Sequence, residues 1–150
     1  MTDELGVDVL TVSKVVSAQP AAVFDAWTNA DTLVAWWRPP GGTCRSARID
    51  LQTGGTYEII NDFPDGSTVT IFGEFLEIIA PESLTYTWGV DPDVEPDQFV
   101  SVRFQPRNDG TLVTVRHERI PTVEMLEGHR VGWNSCLDGL AEAVWRGEDT

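Results

Sequence analysis

The chain of 150 residues has the length of one domain, and its hydrophobic content of 41% is typical of a globular protein with a substantial core. Its formal net charge of −14 argues against nucleic acid and against insertion into an anionic membrane, because both partners require basic patches. The N-terminus shows no export signal, and no apolar run approaches the ~18 residues that span a bilayer. The two cysteines, Cys44 and Cys136, lie far apart in the sequence, which is typical of reduced thiols. We therefore expect one cytoplasmic domain over residues 1–150.

The first part of the chain is predicted to form one strand and two short helices. Apolar residues at both odd and even positions predict a strand over 7–16. Pro20 suits the first position of a helix, and Asn29 or Asp31 can cap a second helix. The run Arg-Pro-Pro-Gly-Gly at 38–42 then ends that second helix.

From Cys44 onward the pattern changes to strands that are separated by turn residues. Glycine-containing turns at 53–55, 64–66 and 108–110 join neighbouring strands, and 91–97 is an acidic loop with proline. Strands that follow one another through tight turns form an antiparallel sheet. The predicted strands cover residues 45–51, 57–62, 68–79, 84–90, 99–105 and 112–118.

Residues 122–146 predict one long amphipathic helix that the strands surround. Its apolar residues recur with a period near 3.6, which places them on a single stripe. Gly128, Gly132 and Gly139 interrupt the helix; we interpret Gly128 as its true start and the other two as points of close approach to the sheet. The stripe consists of Leu126, Trp133, Leu137, Leu140 and Val144.

This order of elements predicts an α+β fold. A curved antiparallel sheet of about six to seven strands would wrap around the long C-terminal helix, with two short helices after the first strand. Such an arrangement usually leaves a cavity between the concave face of the sheet and the helix. We find no internal repeat and no linker that would separate a second domain.

Several short motifs occur in an order that is similar to a known family. They are PAAVFDAWT at 20–28, AWW at 35–37, PPG at 39–41, GGTY at 54–57, PDG at 64–66, GEFLEI at 73–78, LTYTW at 84–88 and EGHRVGW at 127–133. Together they resemble activator-of-heat-shock-protein-ninety-ATPase-like (AHSA-type) domains, from about residue 10 to 145. The resemblance implies the helix-grip fold of the START/Bet v-like (SRPBCC) superfamily. Relatives of this fold bind lipids, polyketides or hormones, and some are cyclases or self-sacrificing resistance proteins.

Strand alternation predicts which side chains face the helix and enclose the cavity. If one parity of each strand points inward, the enclosure is apolar and aromatic, and it holds few polar groups. Such walls suit a flat or hydrophobic ligand that one or two hydrogen bonds orient, although the same residues could instead pack as a solid core. The predicted ligand-binding residues are Trp36, Tyr57, Ile59, Asn61, Phe75, Tyr86, Trp88, Val102, Phe104, His117, Trp133, Leu137 and Leu140.

The sequence contains no recognisable catalytic or metal-binding motif. There is no HExxH, CxxC or GxSxG, so we predict no catalytic residue, no metal and no cofactor. His117 and His129 could each anchor a ligand or satisfy a local hydrogen bond. Our main hypothesis is therefore a domain that binds a small hydrophobic or aromatic molecule without transforming it.

Two alternatives stay open. The first is an enzyme of the same fold, such as a cyclase, dehydratase or hydrolase, with His117 or an inward carboxylate as the general base. The second is a protein-interaction or co-chaperone-like module, in which residues 36–40 dock a partner protein or a second copy in a homodimer. Its motivation is that Trp36 and Trp37 are adjacent and should not both point inward from a short helix, so we expect one of them to be exposed or to cover the mouth of the pocket.

Overall fold

The computed structural model describes residues 9–90 and 93–148, and the order of elements is the predicted one. The first strand is described from Val9, so the start of the predicted strand over 7–16 lies outside the described residues. Predicted and observed boundaries agree within about three residues. The elements are β1 Val9–Val16, α1 Pro20–Thr28, α2 Ala30–Trp36, β2 Thr43–Ile49, β3 Thr56–Asp62, β4 Thr68–Ile79, β5 Ser83–Trp88, β6 Gln98–Arg107, β7 Gly110–Glu118 and α3 Val123–Glu148.

The strands form one antiparallel sheet that curls into a half-barrel. The seven-stranded sheet has the order β1-β7-β6-β5-β4-β3-β2, so β2 to β7 form a meander and β1 is added at the far edge. Bulges interrupt the register between Cys44 and Ser46 in β2 and between Phe75 and Glu77 in β4. A bulge bends its strand and increases the local twist, which helps the sheet to curve around a helix. The predicted α+β helix-grip fold is therefore confirmed.

Helix α3 lies against the concave face, and none of our three glycine interpretations is fully correct. The helix starts at Val123, where Thr122 Oγ1 accepts a hydrogen bond from the Met125 amide at 3.1 Å, so Gly128 is an interior residue. Around Gly132 an added Cβ would meet no atom within 4 Å, so no close approach explains that glycine. At Gly139 a Cβ would collide with the Trp36 carbonyl oxygen. The close approach predicted at Gly139 therefore exists, but it is to the end of α2 rather than to the sheet.

The two adjacent tryptophans also differ from expectation. Trp36 is 1% exposed and Trp37 is 5% exposed, so both point inward. Helix α2 ends at Trp36, and Trp37 has extended backbone angles of φ −67° and ψ 116°. Because Trp37 has left the helix, its side chain no longer follows the helical direction of its neighbour. The expectation that both cannot point inward is wrong, and neither ring is exposed; Trp37 instead lines the cavity described below.

Helix α3 is the longest helix, and it is amphipathic rather than apolar all round. Within residues 9–90 and 93–148, no helix is both long enough and apolar enough to cross a bilayer.

Candidate functional site

The predicted inward orientation of the strand residues is confirmed. Every residue that we placed in the enclosure is at most 5% exposed, including the polar side chains Asn61 and His117. The alternation of buried and open positions is clearest along β5 and β7. Burial fixes the direction of these side chains, and contact with a ligand stays a prediction for each of them.

At one end the interior is filled by aromatic rings. Trp27 of α1 inserts between Trp36 and Phe104, with ring centroids 5.1 Å and 5.8 Å away. Phe24 meets Phe104 edge to face at 5.5 Å. These distances are typical of close aromatic packing. We call this region the filled end; the predicted residues that line neither interior cavity are Trp36, Val102, Phe104, His117, Leu137 and Leu140.

At the other end the interior contains a cavity of about 180 Å³ that opens to the surface beside Val69 and Val90, which are 37% and 45% exposed. We call this region the hollow end. Its mostly apolar walls come from β3, β4, β5, helix α3 and the segment after α2. Three of the predicted residues line it: Asn61, Trp88 and Trp133. His129, which we considered as a possible anchor for a ligand, also lines it, and the main lining residues that were not in the predicted set are Trp37, Pro39, Phe63, Ile71, Gly132 and Cys136.

Some of the cavity-lining residues outside the predicted set could have been predicted from the sequence. His129, Gly132 and Cys136 lie at helical spacing around Trp133, so they share a face of α3 with a residue that was predicted. Trp37 and Pro39 follow the end of α2, where side-chain direction depends on backbone angles that the sequence does not specify. The contribution of the segment after α2 was therefore not predictable from periodicity.

A second interior void is too small for an organic ligand. It has a volume of about 20 Å³, which is room for roughly one water molecule. Tyr57, Ile59, Phe75 and Tyr86 border it, and the Tyr57 hydroxyl donates to the Thr87 carbonyl at 2.6 Å. Burial raises the pKa of both Tyr86 and Tyr57 well above the usual value of a phenol, so both side chains are neutral.

His117 forms a buried bridge between the sheet and α3. Its Nδ1 accepts a hydrogen bond from Trp133 Nε1 at 3.1 Å, and its Nε2 lies 2.7 Å from Gln98 Oε1. Because an indole N–H can only donate, Nδ1 must be unprotonated, and Nε2 therefore carries the proton that it donates to Gln98. Burial, with a smaller contribution from His129, lowers the pKa of His117 to about 3. Both ring nitrogens are thus occupied, which leaves no free lone pair for general-base catalysis.

His129 lies at the border of the cavity and has a different environment. Its ring stacks on His117 with centroids 4.4 Å apart and an interplanar angle of 30°, and it meets Trp88 edge-on at 5.9 Å. Burial lowers its pKa, so it is uncharged at neutral pH. Within the described part of the chain, its buried Nε2 has no hydrogen-bond partner.

Two further buried polar atoms lack partners among the described residues, and both belong to the walls of the same cavity. They are Asn61 Oδ1 on β3 and Trp88 Nε1 on β5. Most buried polar groups in proteins are paired, because an unpaired group loses its hydration without compensation. The presence of all three unpaired atoms on residues of one apolar cavity makes it the candidate functional site.

The remaining lining group with reactive potential is Cys136. Burial raises the pKa of its thiol to about 12, so it is neither a thiolate nucleophile nor a ready metal ligand at neutral pH. Among residues 9–90 and 93–148, no group of three or more histidine, cysteine or acidic side chains could hold a metal ion.

A curled antiparallel sheet that grips a long C-terminal helix, with a cavity between them, defines a helix-grip domain of the SRPBCC type. The family model described as Activator of Hsp90 ATPase homolog 1-like protein matches residues 17–144, and the chain belongs to this family. The resemblance inferred from the sequence motifs is thereby confirmed.

Solved structures show the same architecture. Protein CV1439 from Chromobacterium violaceum is 26% identical, with a TM-score of 0.81 over 90% of this chain and 95% of that chain. Protein NE0264 from Nitrosomonas europaea is 20% identical, with a TM-score of 0.82 over 95% and 97%. The AHSA1 (SPO3351) protein from Silicibacter pomeroyi is 23% identical, with a TM-score of 0.81 over 93% and 99%. No curated protein matches the sequence.

Proposed function

We propose that this protein binds a small hydrophobic or aromatic molecule in the cavity at the hollow end, without transforming it. The observation that carries the proposal is the apolar space of about 180 Å³ beside a tightly packed aromatic core. An apolar protein cavity of about 150 Å³ is large enough to bind benzene. The space next to Trp88 and Trp133 is therefore sufficient for a single substituted ring.

Helix α3 contributes to this space because Gly132 has no side chain. Gly132 lines the cavity, and a Cβ built there would find open space within 4 Å. Glycine inside a helix costs about 1 kcal/mol relative to alanine. Gly132 therefore lowers helix stability and leaves a gap that a larger side chain could fill. The lower helix stability and the unfilled gap are both expected if a ligand occupies the space.

The alternatives receive less support. The enzyme hypothesis named His117 as a general base, but both of its nitrogens are engaged in hydrogen bonds. An apolar surface patch at residues 36–40 would favour the interaction hypothesis, but the side chains of Trp36 and Trp37 are both buried. We also propose a cytoplasmic location, which the free thiols of Cys44 and Cys136 support.

Binding can be tested with toluene, which fits one ring and has no polar group. We expect toluene to raise the Tm of the protein and to shift the indole N–H resonances of Trp88 and Trp133 in heteronuclear NMR spectra. Gly132→Leu should fill the cavity and abolish both effects. Gly128→Leu is the matched control, because Gly128 is also an interior helix glycine with open space but does not line the cavity. A wild-type protein that shows neither effect at saturating toluene would overturn the proposal.

A further inference from the structure

The cavity walls specify more about the ligand than its size. Resting on the proposed function, we infer that the ligand is an uncharged single-ring molecule that carries both a hydrogen-bond acceptor and a donor, recognised by Trp88, Asn61 and His129. The inference combines the volume of the cavity, the charge of its walls and three fully buried polar atoms on its lining residues, which have no partner in the described part of the chain and which a ligand reaches once these side chains turn toward the cavity.

The first argument concerns charge. Of the residues that line the cavity, only His129 and Cys136 can ionise, and burial shifts the pKa of each in the direction that favours the neutral form. The cavity opens to solvent beside Val69 and Val90, but an ionised carboxylate or ammonium group against its inner apolar wall would lose part of its hydration without gaining an opposite charge, which is unfavourable. The formal net charge of −14 further disfavours the approach of an anion. The site therefore selects neutral molecules.

The second argument concerns hydrogen bonding. Trp88 is 5% exposed, and its indole Nε1–H can only donate, so its natural partner is an acceptor on the ligand. Asn61 is 2% exposed, and its unpaired Oδ1 calls for a ligand donor. The neutral ring of His129 can serve in either role through Nε2, depending on its tautomer. A carboxamide, or a hydroxyl group beside a carbonyl group, would satisfy these atoms together.

The third argument concerns shape. Trp88 lies 5.3 Å from Trp133 and 6.5 Å from Trp37 between ring centroids, so three neighbouring indoles line the space. The aliphatic side chain of Ile71 also lines the cavity. A flat ring can pack against indole faces over a large area. With a volume close to that of a benzene-binding cavity, the site suits one ring with a short substituent rather than a fused polycycle.

Three small molecules of nearly equal shape test the arguments from hydrogen bonding and from charge separately. Benzamide is neutral and carries a donor and an acceptor, cumene is neutral and apolar, and benzoate is charged. We expect calorimetric or NMR titrations at pH 7.5 to rank benzamide first, then cumene, with benzoate weaker than both. Loss of one hydrogen bond corresponds to about ten-fold in affinity, so benzamide should exceed cumene by at least that factor.

Single substitutions test which side chains bind the polar group of benzamide. Asn61→Leu and Trp88→Phe should each weaken benzamide by about ten-fold and leave cumene nearly unchanged, because each removes a polar atom and keeps an apolar wall. Asn134→Leu is the matched control, since Asn134 is exposed on α3 and should affect neither probe. The Tm of each variant checks that it is folded, and the wild-type ranking tests the inference without any variant.

The outcomes are distinguishable. If cumene and toluene bind but benzamide gains nothing, or if benzoate binds most tightly, the inference is overturned while the proposed apolar site stands. Unchanged benzamide affinity in folded Asn61→Leu and Trp88→Phe would also overturn it. If none of the neutral probes binds, the proposed function itself fails, and the inference fails with it.

Discussion

The two ends of the interior are built from the same kinds of residue but do different things. At the filled end, Trp27 of α1 occupies the space opposite the sheet and contacts Phe104 at 5.8 Å. At the hollow end, the opposing wall is the first half of α3, where Gly132 contributes no side chain. Strand alternation points side chains inward at both ends. What lies across from the strands therefore decides whether the interior becomes core or cavity.

The ends also differ in how their buried polar atoms are treated. Beside the filled end, Trp36 Nε1 donates to the Ala26 carbonyl at 2.8 Å, and Thr111 Oγ1 donates to the Ala18 carbonyl at 2.6 Å. At the hollow end, the buried atoms Asn61 Oδ1, Trp88 Nε1 and His129 Nε2 have no partner within the residues that the structure describes. Local rules of polar pairing are typically broken at functional sites. This contrast supports the proposal that the hollow end is the binding site.

The largest expected effect compares equivalent truncations at the two ends. Leu140→Ala removes a side chain that is 0% exposed and borders neither interior cavity, so it should cost about 4 kcal/mol of unfolding free energy. Ile71→Ala should cost only about 2 kcal/mol, because Ile71 already borders open space and its loss enlarges an existing cavity. Urea denaturation of both variants measures the difference. Equal costs would mean that the two ends are equally packed.

The next effect tests the contact between the helices beside the filled end. Gly139→Ala should destabilise the protein by roughly 2–3 kcal/mol, because the new Cβ would collide with the Trp36 carbonyl oxygen and force α2 and α3 apart. The gain in helix propensity, about 1 kcal/mol, is too small to offset this. Thermal and urea denaturation give the sign directly. A stabilised variant would show that α2 and α3 are not in close contact.

His117 lies at the boundary between the ends, and its burial predicts a pH dependence. Its pKa is about 3 when folded and near 6.5 when unfolded, so below pH 6.5 the unfolded state binds the proton first. The stability is fully present above pH 6.5 and falls as the pH decreases toward 3. Between pH 6.5 and 5 the loss should be about 2 kcal/mol, with a further loss from His129, whose pKa is also lowered.

His117→Gln is the test of this pH dependence. Glutamine keeps a donor and an acceptor but does not titrate, so the urea midpoint should change less between pH 6.5 and 5 than in the wild type. This window lies above the usual pKa of carboxyl groups, which limits their contribution. Parallel midpoints for the variant and the wild type would contradict the assigned burial of the imidazole.

The fold could be predicted because the strand patterns, the turn residues and the helix pattern in the sequence all indicated the same architecture. Period-2 patterns gave the strands, turn residues separated them, and the 3.6-residue stripe of Leu126 to Val144 gave the last helix. Inward orientation followed from alternation alone, and burial confirms it for Asn61 and His117. Such consistency is what makes a sequence specify one structure.

The residues that line the cavity were harder to predict from the sequence, for two physical reasons. The direction of Trp37 depends on backbone angles just after a helix end, and no periodic pattern encodes those angles. Whether a region is filled or hollow depends on the summed volume of side chains from distant elements, such as Trp27 at one end and Gly132 at the other. Sequence spacing predicts which residues meet, but it does not predict the space that is left over.

The smallest expected effect tests whether the ligand occupies the cavity beside Gly132. Gly128→Ala and Gly132→Ala should each stabilise α3 by about 1 kcal/mol, because alanine is a better helix former and a Cβ at either position meets open space. Only Gly132 lines the cavity, so only its variant should also lower the affinity for toluene. The two substitutions share chemistry, helix and backbone conformation, and differ in the surface that they cover. If the Gly132 variant gains stability and keeps full affinity, the ligand does not rest on this part of α3, and the site must lie closer to Phe63 and Pro39.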